Sequence, residues 1–375
     1  MKKPTLCMLA GHGWSATSPL YYTLAHNHNY CHGGHYKENK YLEHIYHYNR
    51  GDEKLLNEKR FRFRQLFNGL KRDQEDGPKA MTFGERDRPS TVLHTGGPNA
   101  HWDPEFVNDF FSLPHTFEKY ITYYKKHYEA IKDTYSAVSD FTINNIYKPE
   151  SFINITARYL KPHFNVKVLM IYRDPVQRLW SNIQFTWFQK NKHRGCVDPY
   201  HMFWRKIAHH YDDPKEKDYD LNVIEAYTEG YRRWSNAFGK ENVHNIVMEE
   251  LWSEDKDIAQ KSKRELSDFL EYEVTDLFAN CFVPEQGSKA PHVEHLSDQF
   301  MSNQVDLSEE QLNTARALMD RAYLRFEEMY GYIPKTWTEL KSVEVPDLTN
   351  PNDYDIEEVL RRDPLSGPQK LSDYK

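Results

Sequence analysis

Two short stretches of this 375-residue sequence combine residue types at spacings that can do chemistry. In the first, Thr5–Leu20, the apolar run Leu6–Ala10 leads into Gly11-His12-Gly13 and then Trp14-Ser15-Ala16-Thr17-Ser18-Pro19-Leu20. A strand, a glycine turn and the start of a helix form an anion cradle, because the first helical N–H groups lack internal partners and favour negative charge. The hydroxyls of Ser15, Thr17 and Ser18 can add donors, and Pro19 is tolerated in a first helical turn. In the second stretch, Arg173-Asp174-Pro175-Val176-Gln177-Arg178 follows an apolar run, and Ser181 lies eight residues beyond Arg173. An arginine at the tip of a buried strand offers a bidentate fork to a phosphate, and Ser181 can reach the same group. The alternative reading is a local Arg173–Asp174 ion pair that caps the helix.

These residues need elements to hold them. Val166–Tyr172 is apolar almost throughout, as a parallel strand buried on both faces must be. Shorter strands are expected at Leu6–Ala10, Ala137–Phe141 and Val243–Met248. Helices are expected at Ser15–Ala25, Phe117–Lys132, Pro149–Leu160, Val176–Gln189, Ile224–Phe238 and Ala259–Leu270, with a short one opening near Tyr36–Leu42. Leu312, Ala315, Met319, Ala322, Phe326 and Met329 recur at helical spacing. Strands alternating with helices give an α/β fold with a mainly parallel sheet, in which ligands bind beyond the carboxyl ends of the strands. Residues 1–334 read as one such domain and 335–375 as a loosely held tail. The turn dipeptides of 50–112 mark an insertion on the substrate side. Within it Arg60, Arg62 and Arg64 alternate with Phe61 and Phe63, which suits either an anionic acceptor or a charge-protected edge strand.

Composition narrows the function. A charged fraction of 28% and a net charge of -7 argue against a nucleic-acid-coating surface. No apolar run approaches membrane-spanning length, and the apolar run behind Met1-Lys2-Lys3 is too short for a signal peptide. The scattered Cys7, Cys31, Cys196 and Cys281 show the usage of a reducing compartment, so a cytoplasmic protein is expected. His26, His28, His32, His35, His44 and His47 match no compact zinc spacing, so no metal is expected.

Arg173-Asp174-Pro175-x-x-Arg178-x-x-Ser181 resembles the R-x-P-x-x-R-x-x-S motif of sulfotransferases. Gly11–Leu20 is similar in place to that family's G-x-x-K/R-S-G-T-T/S-x-L loop. Tyr36-Lys37-Glu38-x-x-Tyr41-Leu42 looks like the K-E-x-x-F-F segment of the heparan-sulfate sulfotransferases, and Ser139-Asp140-Phe141-Thr142 like their E/D-x-T-P segment. Gly230-Tyr231-x-x-Trp234 through Met248-Glu249-Glu250-Leu251 resembles the G-x-Y…W…F…E-x-L block. Gln286-Gly287-Ser288-Lys289-Ala290-Pro291 resembles the late K-G-R-x-x-P loop over the nucleotide.

The resemblance implies the nucleotide-kinase-like, P-loop-type sulfotransferase fold and transfer of a sulfuryl group from 3′-phosphoadenosine 5′-phosphosulfate (PAPS) to a hydroxyl or amine of a glycan or small molecule, leaving PAP. It places Gly13, Trp14, Ser15, Ala16, Thr17 and Ser18 around the 5′-phosphosulfate, and Arg173 and Ser181 on the 3′-phosphate. Tyr231, Gly287, Ser288 and Lys289 are implied at the nucleotide. Glu38 is the implied general base and Asp140 the second choice, with Lys37 and Lys289 as charge stabilisers. Trp14 stands where the family carries Lys or Arg, and Ala16 where it carries Gly. Lys37, His12 or Lys289 then has to replace the missing cation; otherwise the protein is a silent nucleotide or glycan binder. A kinase or ATPase would need G-x-x-x-x-G-K-[ST], and Gly11–Leu20 contains no lysine.

Overall fold

The structure is a computed structural model that describes residues 3–13, 15–34, 40–49, 110, 114–143, 145–191, 203–204, 207, 223–277 and 307–338. The expected insertion, apart from Phe110, lies outside these residues, as do Cys196, Cys281 and the tail beyond 338.

Five strands form one sheet: β1 (Thr5–Leu9), β2 (Cys31–His32), β3 (Ala137–Asp140), β4 (Asn165–Tyr172) and β5 (Val243–Val247). Their order is β2-β3-β1-β4-β5, and every pairing is parallel. This is the α/β class expected. β2 was not expected; two residues on a sheet edge carry too little pattern to be read. β4 is buried from Val166 onward. Its one charge, Lys167, runs its apolar stem along the core and delivers Nζ to the Phe269 carbonyl at 2.5 Å and the Glu271 carboxylate at 2.8 Å.

The chain clusters into two compact units. The first, Met1–Tyr172 with Glu229–Ser302, holds the sheet. Around it lie α1 (Thr17–Tyr22, continued by a wider π turn Thr23–Asn27), α2 (Tyr41–Asn49), α3 (Phe117–Ile131) and α4 (Glu150–Leu160). The second unit, Arg173–Thr228 with Asn303–Lys375, begins with α5 (Pro175–Asn191). α6 (Val223–Phe238) returns the chain to the first unit, where α7 (Met248–Leu251) and α8 (Lys256–Leu270) follow β5. The second unit closes with α9 (Glu309–Leu318), α10 (Asp320–Tyr330) and α11 (Lys335–Thr338). The single periodic run expected at Leu312–Met329 is thus two helices. Met319 breaks it, with its N–H shared between the Ala315 and Arg316 carbonyls at 3.1 Å.

The topology fixes where polar groups can gather. The chain leaves β1 toward the β2–β3 side of the sheet and leaves β4 toward β5. The carboxyl ends of β1 and β4 therefore flank a topological switch point, the usual ligand position in such sheets.

The carboxyl end of β1 is braced from α6. Asn145 Nδ2 donates to the Leu9 carbonyl (3.3 Å), and the 3₁₀ turn Asn145–Tyr147 accepts from Trp234 Nε1 (3.3 Å) and Arg233 Nη2 (3.2 Å) through its carbonyls. Gly230 permits this approach, because a Cβ there would lie 2.6 Å from Ile146 Cγ1. Gly230 and Trp234, picked out in sequence as a motif, are packing residues of this brace. Gly230→Ala gains helix propensity of about 1 kcal/mol but overpacks a fully buried isoleucine at about 1–3 kcal/mol. It is expected to lower the urea midpoint of unfolding; an unchanged or raised midpoint would refute the brace.

Candidate functional site

The β1–α1 turn belongs to the first unit. Gly11 sits against β4, and a Cβ there would fall 2.9 Å from Ile171 Cγ2 and 3.3 Å from Leu9 Cγ. Glycine lets the turn leave the strand without displacing its neighbour. Ala10 N–H donates to the Leu169 carbonyl at 2.9 Å, which keeps the turn in register with β4. His12 is buried, its ring edge-on to Tyr147 at 5.0 Å between centroids, and its Nδ1 lies 2.9 Å from the Gly13 carbonyl oxygen. A proton on Nδ1 therefore donates to that carbonyl.

Ser15 and Thr17 are buried in the turn. The Ser15 hydroxyl is fully buried and makes no hydrogen bond to any described residue. Leaving a buried hydroxyl unsatisfied costs about 1–3 kcal/mol, so a ligand oxygen delivered to this turn would gain a desolvated donor. Ala16, the N-cap of α1, has φ 55 and ψ 28, the left-handed conformation. The backbone demands what a glycine would supply at no steric cost, and the methyl makes it strained. Ser18 lies on α1, with its side chain outside the described atoms; Trp14 is wholly outside them.

Asp140 ends β3 and is fully buried. Its Oδ2 accepts from Tyr120 of α3 at 2.8 Å, and its Oδ1 from the Thr142 N–H (3.2 Å) and hydroxyl (2.5 Å). Burial first, and the Asp140 carboxylate second, push the Tyr120 phenol well above the ordinary tyrosine range, so it stays a donor. Thr142 Oγ1 in turn accepts from the Lys40 N–H at 3.0 Å, and Lys40 is itself left-handed at φ 52. The chain Tyr120–Asp140–Thr142–Lys40 thus fixes the backbone where residues 35–39 end. Lys37 and Glu38 fall within that segment and lie outside the described residues.

In the second unit, Arg173 directly follows β4 in the chain. Arg173 Nη1 donates to Ser181 Oγ at 2.8 Å, and Arg173 is 8% exposed. The structure thus brings together the two residues that sequence spacing singled out. A helix between them is the reason, since eight residues carry Ser181 two turns along α5, back onto the face that begins beside Arg173. Tyr227 brackets the arginine backbone, with its hydroxyl 3.1 Å from the Arg173 carbonyl and 3.4 Å from its N–H.

Asp174 caps α5. Its Oδ1 accepts from Val176 N–H (2.9 Å) and Gln177 N–H (3.2 Å), the orphan donors of a first turn. The capping half of the local reading therefore holds, but the cation on Asp174 is Arg316 of α9. Arg316 Nε (2.9 Å) and Nη2 both donate to Oδ2, and the Tyr323 hydroxyl of α10 donates to Oδ1 at 2.9 Å.

Tyr231 is half-buried on α6 in the first unit. Arg60, Arg62, Arg64, Gly287, Ser288 and Lys289 lie outside the described residues. His32 Nδ1 and His127 Nε2 are 3.0 Å apart, and His44 stacks on His115 at 4.9 Å. Among the described residues no group of three or more His, Cys, Asp or Glu could hold a metal, and no helix is long and apolar enough to cross a membrane.

Sequence reasoning missed Tyr120, Tyr227, Arg316 and Tyr323. Only the last two left a signal: they stand seven apart, the spacing that would share one face of a continuous helix, inside a run read for its apolar residues alone.

No protein-family model matches the sequence, and no curated protein matches it. Solved structures do. A sulfotransferase from Alicyclobacillus acidocaldarius is similar at 14% identity and a TM-score of 0.44, covering 90% of this chain and 100% of that one. The sulfotransferase domain of the Synechococcus PCC 7002 olefin synthase is similar at 14% identity and a TM-score of 0.41, covering 88% and 96%. The sulfotransferase domain from the curacin biosynthetic pathway follows at 13% identity and 0.39, covering 81% and 82%.

The left-handed Ala16 carries its own test. Ala16→Gly removes strain of about 1–2 kcal/mol against an unfolded-state entropy cost of about 0.4–1 kcal/mol. The variant is expected to be as stable as the parent or up to about 1.6 kcal/mol more stable in urea titration. A loss of stability would show that the methyl contact outweighs the backbone strain.

Proposed function

We propose that the protein is a PAPS-dependent sulfotransferase acting on a hydroxyl or amine of a glycan or small-molecule acceptor, without a metal. The observation that carries this reading is the Arg173–Ser181 pair, in which a buried guanidinium is already hydrogen-bonded to a half-buried serine at 2.8 Å. A planar guanidinium held by a serine hydroxyl presents a fork that matches a phosphate. In this reading Arg173 and Ser181 hold the 3′-phosphate of the nucleotide. The β1–α1 turn, with Ser15 and Thr17 as buried donors, holds the 5′-phosphosulfate. The unsatisfied Ser15 hydroxyl fits that role.

PAPS supplies an activated sulfuryl group. Glu38 takes the acceptor proton as the acceptor oxygen or nitrogen bonds to sulfur and the bond from sulfur to the phosphate oxygen breaks. The charge that gathers on the leaving phosphate needs positive partners. With Trp14 in place of a lysine, that work falls to Lys37 and Lys289, and Gly287, Ser288 and Tyr231 line the nucleotide. Asp140, second to Glu38 as base, accepts three hydrogen bonds from Tyr120 and Thr142. The Arg60, Arg62 and Arg64 stripe is assigned to an anionic acceptor. Buried free thiols at Cys7 and Cys31 suit a cytoplasmic setting.

The experiment is calorimetric titration of PAP followed by turnover of labelled PAPS with a pooled acceptor set. Hydrogen bonds to a charged group contribute about 1.5–3 kcal/mol, so Arg173→Ala should weaken PAP binding about 10- to 150-fold. Unchanged PAP affinity in that variant would sink the site assignment. Glu38→Gln should leave PAP affinity intact and lower kcat about 10²- to 10⁴-fold; an equal loss of both would remove Glu38 from the role of base.

The tryptophan at position 14 favours a second reading, a silent protein that binds nucleotide without transfer. PAP binding with no labelled product from any acceptor would select it.

A further inference from the structure

A fully buried carboxylate next to a phosphate-binding arginine is a problem in electrostatics. Asp174 is adjacent to Arg173 in the chain and 0% exposed. Left alone it would repel an incoming phosphate and compete with it for the Arg173 guanidinium, and both effects are strong at low local dielectric. The cap requires the side chain, since Val176 and Gln177 N–H groups both donate to it. The charge therefore has to be met by something other than Arg173.

Two helices far along the chain meet it. Arg316 of α9 puts both Nε and Nη2 on Oδ2, and its side chain is 12% exposed against 0% for Asp174. Burial works against the Arg316 charge, and Asp174 and Tyr323 together more than offset it, raising the guanidinium above its ordinary value. Tyr323 of α10 gives its hydroxyl proton to Oδ1 at 2.9 Å. Burial, then Asp174, hold that phenol well above the usual tyrosine range, so it donates at any working pH. With two cap amides, two guanidinium N–H groups and a phenol on Asp174, Arg173 Nη1 is found on Ser181.

We propose that Arg316 and Tyr323 are positioning residues of the phosphate site: by neutralising and saturating Asp174, they keep the Arg173 guanidinium directed at Ser181, where it can take a phosphate. The inference rests on the reading of Arg173 and Ser181 as the nucleotide's 3′-phosphate site. It makes recognition by α5 depend on the C-terminal helices, which reach the motif through Asp174. Arg316 contributes by cancelling a neighbouring negative charge rather than by contacting the ligand.

The test uses the full chain in four forms, the parent, Arg316→Met, Asp174→Asn and the double variant Arg316→Met/Asp174→Asn, titrated with PAP at a temperature where each is folded by circular dichroism. The Asp174→Asn change keeps the cap oxygen and removes the charge. Arg316→Met is expected to bind PAP at least tenfold more weakly than the parent, and the double variant to return to within about threefold of it. A purely structural role would not produce this rescue. PAP affinity of Arg316→Met within threefold of the parent overturns the proposal, as does a double variant as weak as Arg316→Met. If Arg316→Met does not fold, Tyr323→Phe takes its place, with a smaller loss expected and the same rescue by Asp174→Asn.

A crystal structure of ligand-free Arg316→Met (or its replacement) gives a readout independent of nucleotide. Arg173 is expected to have turned from Ser181 to Asp174, and an Arg173 still on Ser181 refutes the clamp. Failure of the parent to bind PAP would refute the nucleotide reading instead, while this structural comparison still decides the clamp.

Discussion

A parallel sheet covered on both faces has no room for unpaired polarity along its strands, and that constraint shapes everything else in this protein. From Leu6 to Leu9 and from Val166 to Tyr172 the strands are buried. The one lysine among them reaches out of the core to a carbonyl and a carboxylate. Polar groups therefore collect where the strands stop. Burial along the strands and chemistry at their carboxyl ends are two consequences of one physical fact: an unsatisfied polar group inside costs more than packing can return.

Both buried carboxylates next to those strand ends obey the same rule. Asp140 is met by Tyr120 and Thr142, and Asp174 by two amides, a phenol and a guanidinium. Each joins segments distant in sequence. Asp140 links α3 to the backbone of Lys40 through Thr142, and Asp174 links α5 to α9 and α10. Satisfied networks of this kind specify one arrangement, because any other leaves a buried charge without partners. Such rigidity would serve the proposed phosphate site, since a guanidinium fork pre-set on Ser181 loses little freedom when an anion arrives.

The turn after β1 departs from this economy. Ala16 holds a left-handed backbone with a side chain that disfavours it, and Ser15 keeps a buried hydroxyl unsatisfied. Strain and unmet hydrogen-bonding capacity persist only where the surroundings over-determine them. Here Gly11 packs against Ile171, and Ala10 is tied to Leu169, which pin the turn from its strand side. Local preference loses to tertiary fit at the turn that carries the hydroxyls of Ser15 and Thr17.

The sequence by itself determined the class of fold and the pairing of Arg173 with Ser181. Apolar runs of strand length and the eight-residue spacing on a helix are local periodicities, and a chain carries them wherever it goes. The ends of α4, β4 and α6 fall within a residue of expectation for the same reason. What only the tertiary structure decided is who answers the charges. Nothing local links Asp174 to Arg316, 142 residues away, or Asp140 to Tyr120 across a helix and a turn. Those partners are chosen by which side chains the fold carries to a buried carboxylate. The Arg173–Asp174 pair is the clearest instance: neighbours in sequence and opposite in charge, they suggest an ion pair, yet Asp174 takes its cation from α9. Burial made that distant arginine necessary, and no short-range pattern records it.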